Sequence, residues 1–397
     1  MKIVSVVGAR PNFMKIAPFI RSIEDHNRNN PGKQIEHTLV HTGQHYDDRM
    51  SQAFFKALNI PAADINLGVG SGTHAEQVGY TMIEFEKVIK KINPDWVVVL
   101  GDVNATLACA ITAKKDHIKC CHIEAGLRSG DMRMPEEINR VVTDRLSDLL
   151  LIPDELSGSN LKKEGLPDSA IKFVGNIMID TMDANMDKAK ELKIDEIIRL
   201  NNIRKAGDVS SVNQEQAEID SFKEDYALLT LHRPSNVDKR EILEPIVHFL
   251  CDEVAASMKL VWTVHPRTEK QLKKFDLWEK VFSNDNIILL YPINYHEMLR
   301  LNMNARLILT DSGGLQGESS VLGTTCITLR WNTEWTSTLR EKGGTSVLTG
   351  NDIERIREEF RKSMTIKSKA FRPELWDGNT ARRCLHEIIE FDKTNKP

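Results

Sequence analysis

The chain has 397 residues, of which 41% are hydrophobic and 28% charged, enough for two domains of ordinary size and far from the core-poor balance of disordered chains. Lys and Arg total 53 against 57 Asp and Glu, a formal net charge of −4, so no global basic field recommends nucleic acid or an anionic membrane as the main partner. No apolar run reaches the roughly 20 residues of a bilayer span, and Met1 leads into the strand-like KIVSVVG without a signal-peptide pattern; a cytoplasmic protein is expected.

Short β-branched runs alternate with helix-period segments, the pattern of parallel strands joined by crossover helices, so the fold class is α/β. Strands are predicted at Lys2–Val7, His37–Thr42, Trp96–Leu100, Lys119–Ile123, Leu149–Ile152 and Ile171–Val174, with amphipathic helices over Phe13–Asp25 and His74–Lys91. A second series follows at Tyr226–Leu231, Lys259–Val264, Ile287–Leu290, Arg306–Thr310, Thr325–Leu329 and Thr345–Leu348. Between them, 193–225 reads as a polar surface insertion, and Thr380–Phe391 as a last helix that must pack on one of the two sheets. The domains are therefore expected at 1–174 with 378–397, and at 175–377. Two open parallel sheets would place the carboxyl ends of their strands toward a shared cleft.

The chemistry-bearing residues fall just after predicted strands. Gly8 to Lys15 (GARPNFMK) is a tight turn into a helix, with Arg10 and Lys15 as cations near exposed helix amides, a place for a phosphate; the alternative is a loop of solvated basic groups. Asp102, on a Gly turn after the third strand, can cap a helix or face a cleft. Glu124 in HIEAGLR and Glu136 in PEEINR join Asp102 near one sheet edge, with Arg128 and Arg140 close by. Crowded carboxylates push one another's pKa values apart, which suits a site that removes one proton and delivers another; Glu136 and Glu137 also read as a pair stabilised by a helix dipole. In the second half, His232 follows a strand beside an Arg and a helix start, and His265 repeats the situation one strand later. Ser312, Gly313 and Gly314 open a helix with free amides for a diphosphate, and Glu318, one turn on, can accept from a ribose diol; a structural Gly-Gly turn is the alternative. The histidines show no HExxH and the six cysteines no CxxC, so neither a metal site nor a disulfide framework is expected, and no dinucleotide fingerprint calls for a redox cofactor.

GARPNFMK, HTGQHYD, GDVNATL, HIEAGLRSGD, PEEINR, LHRPSNVD, VHPRT and TDSGGLQGE occur in an order that resembles the non-hydrolysing UDP-N-acetylglucosamine 2-epimerases over nearly the whole chain. The resemblance implies two Rossmann-like domains facing a cleft in the GT-B manner, a cytoplasmic homodimer, and reversible conversion of UDP-GlcNAc to UDP-ManNAc, without a cofactor, for polysaccharide synthesis. It implies roles for Arg10 and Lys15 as a basic pair and for Asp102, Glu124 and Glu136 as acid and base. It further implies that Arg140 and His232 meet the phosphates and the reacting end, that Ser312, Gly313 and Gly314 hold the diphosphate, and that Glu318 holds the ribose. The chain departs from the family at Pro234, Ser235 and Gly317, and at Met298, where an aromatic often contacts uracil. Asp47 stands where the substrate-activated bacterial enzymes carry a second glutamine after Gln44, which argues against that allosteric site. GARP, HTGQHYD and RMPEEINR lean toward the branch acting on UDP-2,3-diacetamido glucuronic acid, the rival substrate. The hydrolysing 2-epimerases and a GT-B glycosyltransferase are the remaining alternatives.

Overall fold

The computed structural model describes residues 1–8, 10–43, 62–205 and 225–394, with side chains except those of residues 10, 11 and 205. The chain forms two compact units, Met1–Ala184 with Pro373–Pro397, and Asn185–Arg372. The α/β class read from the sequence is what the structure has: each unit is a doubly wound sheet of the Rossmann kind, the pair of units that GT-B proteins have.

In the first unit, β1 (Lys2–Val7), β2 (Glu36–His41), β3 (Ile65–Asn66), β4 (Trp96–Leu100), β5 (Lys119–Ile123), β6 (Leu149–Ile152) and β7 (Ile171–Phe173) form an all-parallel sheet in the order β3-β2-β1-β4-β5-β6-β7. The strands are near-continuous Val, Ile and Leu because helices cover both faces. On one face Val4, Val6, Val97 and Val99 pack with Phe85 and Ile89 of α2 (His74–Ile92) and with Cys109 and Ala113 of α3 (Asn104–Lys115). Helix α1 is Arg10–Asn29, and α4 is Pro135–Leu146. The last helix of the chain, Thr380–Thr394, also belongs to this unit: its first amides, at Thr380 and Ala381, donate to the buried Asp180 carboxylate at 3.1 and 2.7 Å, and Asp392 near its end accepts from the Trp96 indole at 2.9 Å.

In the second unit, β8 (Tyr226–Thr230), β9 (Lys259–Thr263), β10 (Ile287–Leu290), β11 (Leu307–Thr310), β12 (Thr325–Thr328) and β13 (Ser346–Leu348) are parallel in the order β10-β9-β8-β11-β12-β13. Leu229, Trp262, Leu309 and Ile327 fill one face and Leu228, Val261 and Ile308 the other.

Two differences from the sequence reading stand out. The two-residue β3 is too short to announce itself by period. Within 193–225, Ile194–Asn201 is a helix with Ile197 packed against the sheet and Ile198 buried, its short apolar stretch hidden in the sequence by the polar residues after it; Ile203–Lys205 is a 3-10 turn, and 206–224 lie outside the described residues.

Candidate active site

In a 3-2-1-4 strand order the crossovers from the first and fourth strands leave on opposite faces, and a crevice opens between the two carboxyl ends. That point lies between β1 and β4 in the first unit and between β8 and β11 in the second. The residues singled out by sequence gather at these two places.

In the first unit Asn12 ties the two strand exits together. Its side chain accepts from the Gly8 amide at 3.3 Å and donates to the Leu100 carbonyl at 3.1 Å. One turn further along α1, the Lys15 ammonium pairs with Oε2 of the buried Glu124. Burial opposes the charge on Lys15, but the neighbouring Glu124 and Asp102 carboxylates outweigh it and raise its pKa, so it is held as a cation. Gly101 makes the approach possible: its φ is +63°, and a Cβ there would stand 3.1 Å from Lys15 Nζ and 3.6 Å from Glu124 Oε2. Glu124 itself has φ +71°, a conformation costly for a side-chain-bearing residue, and its Oε1 is buried with no hydrogen-bond partner among the described residues.

Arg140 is buried and bridges two carboxylates, Asp102 Oδ2 at 2.6 Å and Glu137 Oε2 at 2.6 Å. Glu137 also accepts from the Ser129 and Gly130 amides, each at 2.9 Å. Burial would raise its pKa; these amides and Arg140 overcome that and hold it below the usual range. Glu136, the expected member of the carboxylate group, is exposed in the first turn of α4. Asp102, Glu124, Lys15 and Arg140 are thus brought together, whereas no hydrogen bond or ion pair joins Glu136 to them among the described residues. Arg10 opens α1, but its side chain lies outside the described residues, as do Gln44 and Asp47.

Beneath this group is a buried network that sequence reasoning missed. His122 faces the Asp144 carboxylate at 2.6 Å and the Gly101 carbonyl at 2.8 Å. Asp144 also pairs with Arg128 at 2.7 Å and accepts from the Gly126 amide at 3.0 Å. It anchors the loop that carries Glu124 to α4. A signal was present: Glu137, Arg140 and Asp144 share one helical face at i, i+3 and i+7, and that polar face is buried while Ile138 is exposed.

In the second unit the Asp311 carboxylate, fully buried directly after β11, accepts from the His232 amide at 3.0 Å, the Arg233 amide at 2.8 Å and the Asn236 side chain at 3.1 Å. Ser312 starts the helix Gly313–Leu322, here α5, and its amide donates to Thr310 Oγ1 at 3.0 Å. A Cβ on Gly313 would meet Glu334 Oε1 at 2.9 Å and Arg330 Nη1 at 3.2 Å, whereas one on Gly314 would meet nothing nearer than Ser312 Oγ at 3.9 Å. The first turn of the helix is therefore open beside Gly314 and closed beside Gly313. Glu318, inside α5, is buried and accepts from the Tyr295 hydroxyl at 2.9 Å; burial pushes its carboxyl up to about 7 against that hydrogen bond.

The first unit thus offers paired acids and cations, and the second a helix start at Ser312–Gly314 with a buried carboxyl at Glu318 further along the helix. Among the described residues no group of three or more His, Cys, Asp or Glu side chains could hold a metal ion, and no helix is long and apolar enough to cross a membrane.

The sequence model of the UDP-N-acetylglucosamine 2-epimerase family matches residues 27–389. The chain is 42% identical over 394 residues to the UDP-N-acetylglucosamine 2-epimerase of Methanocaldococcus jannaschii, covering 99% of this chain and 100% of that one. It is 35% identical to the UDP-2,3-diacetamido-2,3-dideoxy-D-glucuronate 2-epimerase of Pseudomonas aeruginosa, covering 98% and 99% of the two chains. The crystal structure of the M. jannaschii UDP-GlcNAc 2-epimerase in complex with UDP-GlcNAc and UDP superposes with a TM-score of 0.84 at 38% identity, covering 98% of this chain and 100% of that one. Shared sequence over its full length, with the doubly wound fold and the residues at both switch points, makes this chain a member of the UDP-N-acetylglucosamine 2-epimerase family.

Proposed function

We propose that the protein converts UDP-GlcNAc reversibly to UDP-ManNAc by eliminating UDP across C1 and C2 and adding it back. The observation that carries this reading is Glu124, a buried carboxyl in a strained backbone with one oxygen on Lys15 and the other without a partner among the described residues, set beside Asp102 and Arg140. The C2 hydrogen of an N-acetylhexosamine is too weakly acidic for direct removal. Elimination instead breaks the C1–O bond to UDP and the C2–H bond together, giving 2-acetamidoglucal, UDP and a proton held by a carboxylate. Re-addition delivers a proton to C2 from the opposite face and restores the C1–O bond. Glu124, Glu136 and Asp102 supply the acid and base groups. Lys15, held cationic, and Arg10 stabilise the departing diphosphate, as Arg140 and His232 do at the reacting end. The Ser312 hydroxyl and the amides at Gly313 and Gly314 hold the diphosphate, and Glu318 accepts from the ribose.

The higher identity to a UDP-GlcNAc enzyme than to the diacetamido-glucuronate enzyme favours UDP-GlcNAc as substrate. A homodimer in the cytoplasm, feeding polysaccharide synthesis, completes the reading; exposed Tyr80 and Ile83 on α2 offer an apolar face for a second copy. Product analysis by anion exchange tests the reaction. UDP-GlcNAc should yield UDP-ManNAc as the main product, at a kcat/KM above that for UDP-2,3-diacetamido glucuronic acid. Stoichiometric free ManNAc with UDP would instead mark a hydrolysing enzyme, and the reverse substrate preference would assign the other branch.

A further inference from the structure

His232 is the one proposed site residue whose ring is held by a group that has no part in the scheme above. Its Nδ1 lies 2.8 Å from Oδ1 of Asp311, and its side chain is 41% exposed while Asp311 is wholly buried. No described residue hydrogen-bonds its Nε2. The arrangement follows from the fold: β8 and β11 are neighbours in register, Thr230 opposite Thr310, so the first residues past each strand must meet before the chains diverge. Asp311 is that first residue on β11, and both its oxygens are taken by donors of the loop 232–236. Ionised carboxyl oxygens only accept, so the ring nitrogen facing them has to carry a proton. Burial works against the charge on Asp311, but the His232 ring and the two amides hold its pKa below the usual range. The other basic groups around the ring are His265, 5.7 Å away between centroids and itself committed through Nδ1 to the Arg267 amide at 3.1 Å, and Arg233, whose Nε donates to the Asp311 carbonyl at 2.9 Å.

We propose that Asp311 is a positioning residue for His232: it fixes the ring with Nδ1–H toward the carboxylate and Nε2 as the nitrogen presented to the UDP-sugar. The role rests on the reading of His232 as a site residue. A tautomer fixed in this way lets Nε2 receive a proton or a hydrogen bond without the ring first turning over. A plain loop staple would need the amide contacts and not the contact to Nδ1.

The test begins on the unaltered protein. Two-bond 1H–15N correlation at about pH 8 reports the tautomer of each neutral histidine, and the His232 signals are those lost in His232→Gln. The proposal expects the Nδ1–H tautomer at His232; an Nε2–H tautomer overturns it, whether or not Asp311→Asn folds. In turnover, Asp311→Asn should lower kcat by about 10²-fold or more with the Kd for UDP changed by less than about three-fold. The double variant Asp311→Asn/His232→Gln should be no worse than His232→Gln alone, since the two residues act as a unit. Losses that multiply would show that Asp311 acts elsewhere. If the protein turns over no UDP-GlcNAc at all, the epimerase reading fails while the tautomer measurement still decides the placement of the ring.

Discussion

Glu318 gives the sharpest quantitative test, because its buried carboxyl has one hydrogen-bond partner among the described residues, the Tyr295 hydroxyl, and is pushed from an ordinary 4.5 up to about 7. A raised acid holds its proton in the native state at pH values where the unfolded chain has lost it. The native protein therefore binds more protons than the unfolded chain between about pH 4.5 and about pH 7, and stability falls as pH rises through that window. At about 1.4 kcal/mol per pH unit, the full loss above about pH 7 is about 3 kcal/mol. Glu318→Gln keeps the shape and an acceptor for Tyr295 but cannot ionise. Relative to the unaltered protein, the variant should gain about 3 kcal/mol between about pH 5 and about pH 8. Hydrogen exchange of the β11 and β12 amides reads this in the second unit itself, without assuming that the whole chain unfolds in one step. A difference between the two proteins that stays constant across this range would refute the reasoning, since it would mean that Glu318 ionises in the native state as freely as in water.

The same carboxyl should govern ligand affinity: if the ionised form accepts from the ribose, UDP-GlcNAc should bind about ten-fold more weakly at about pH 6 than at about pH 8, and isothermal titration of Glu318→Gln should show that dependence abolished. Glu124→Gln should lower kcat by about 10²-fold or more while the Kd for UDP stays within about three-fold; loss of UDP binding at unchanged kcat would place Glu124 on the nucleotide instead. Gly101→Ala forces a Cβ to 3.1 Å from Lys15 Nζ at φ +63°, and should cost about 1–2 kcal/mol of stability together with most of the activity, both measurable by denaturant titration and initial rates. Asp144→Asn removes the charge that faces the buried His122 and one of the two carboxylates on Arg128, which keeps Glu164 at 2.7 Å, and should cost about 3 kcal/mol; a melting temperature unchanged from the parent would contradict the network described around it.

Most strand positions could be read from the chain because parallel strands buried on both faces are short continuous apolar runs, and Trp96–Leu100, Lys119–Ile123 and Ile287–Leu290 begin and end where the structure has them. The catalytic candidates were legible for a related reason: in a doubly wound sheet function follows strand ends, so Asp102, Glu124, His232 and Ser312 are marked by position. What escaped is whatever depends on contact across the sheet. Nothing in PEEINR says that Glu137 goes inward to Arg140 and Glu136 outward, since adjacent helical residues differ by about 100° of rotation and the choice is made by the Ser129–Gly130 amides. Asp311 and Asp144 look like ordinary helix-start and mid-helix acids until β8 and β5 bring histidines to them. The Ile194–Asn201 helix was hidden by its polar sequel, because a window that mixes the two has no helical period.

The central claim, that C2 loses its proton while UDP departs from C1, is tested most directly by proton NMR of UDP-GlcNAc turned over in deuterated water. Each passage through the glycal should place deuterium at C2 of both UDP-sugars, with traces of free UDP and 2-acetamidoglucal accumulating. UDP-ManNAc formed with its original hydrogen still on C2 would contradict the mechanism.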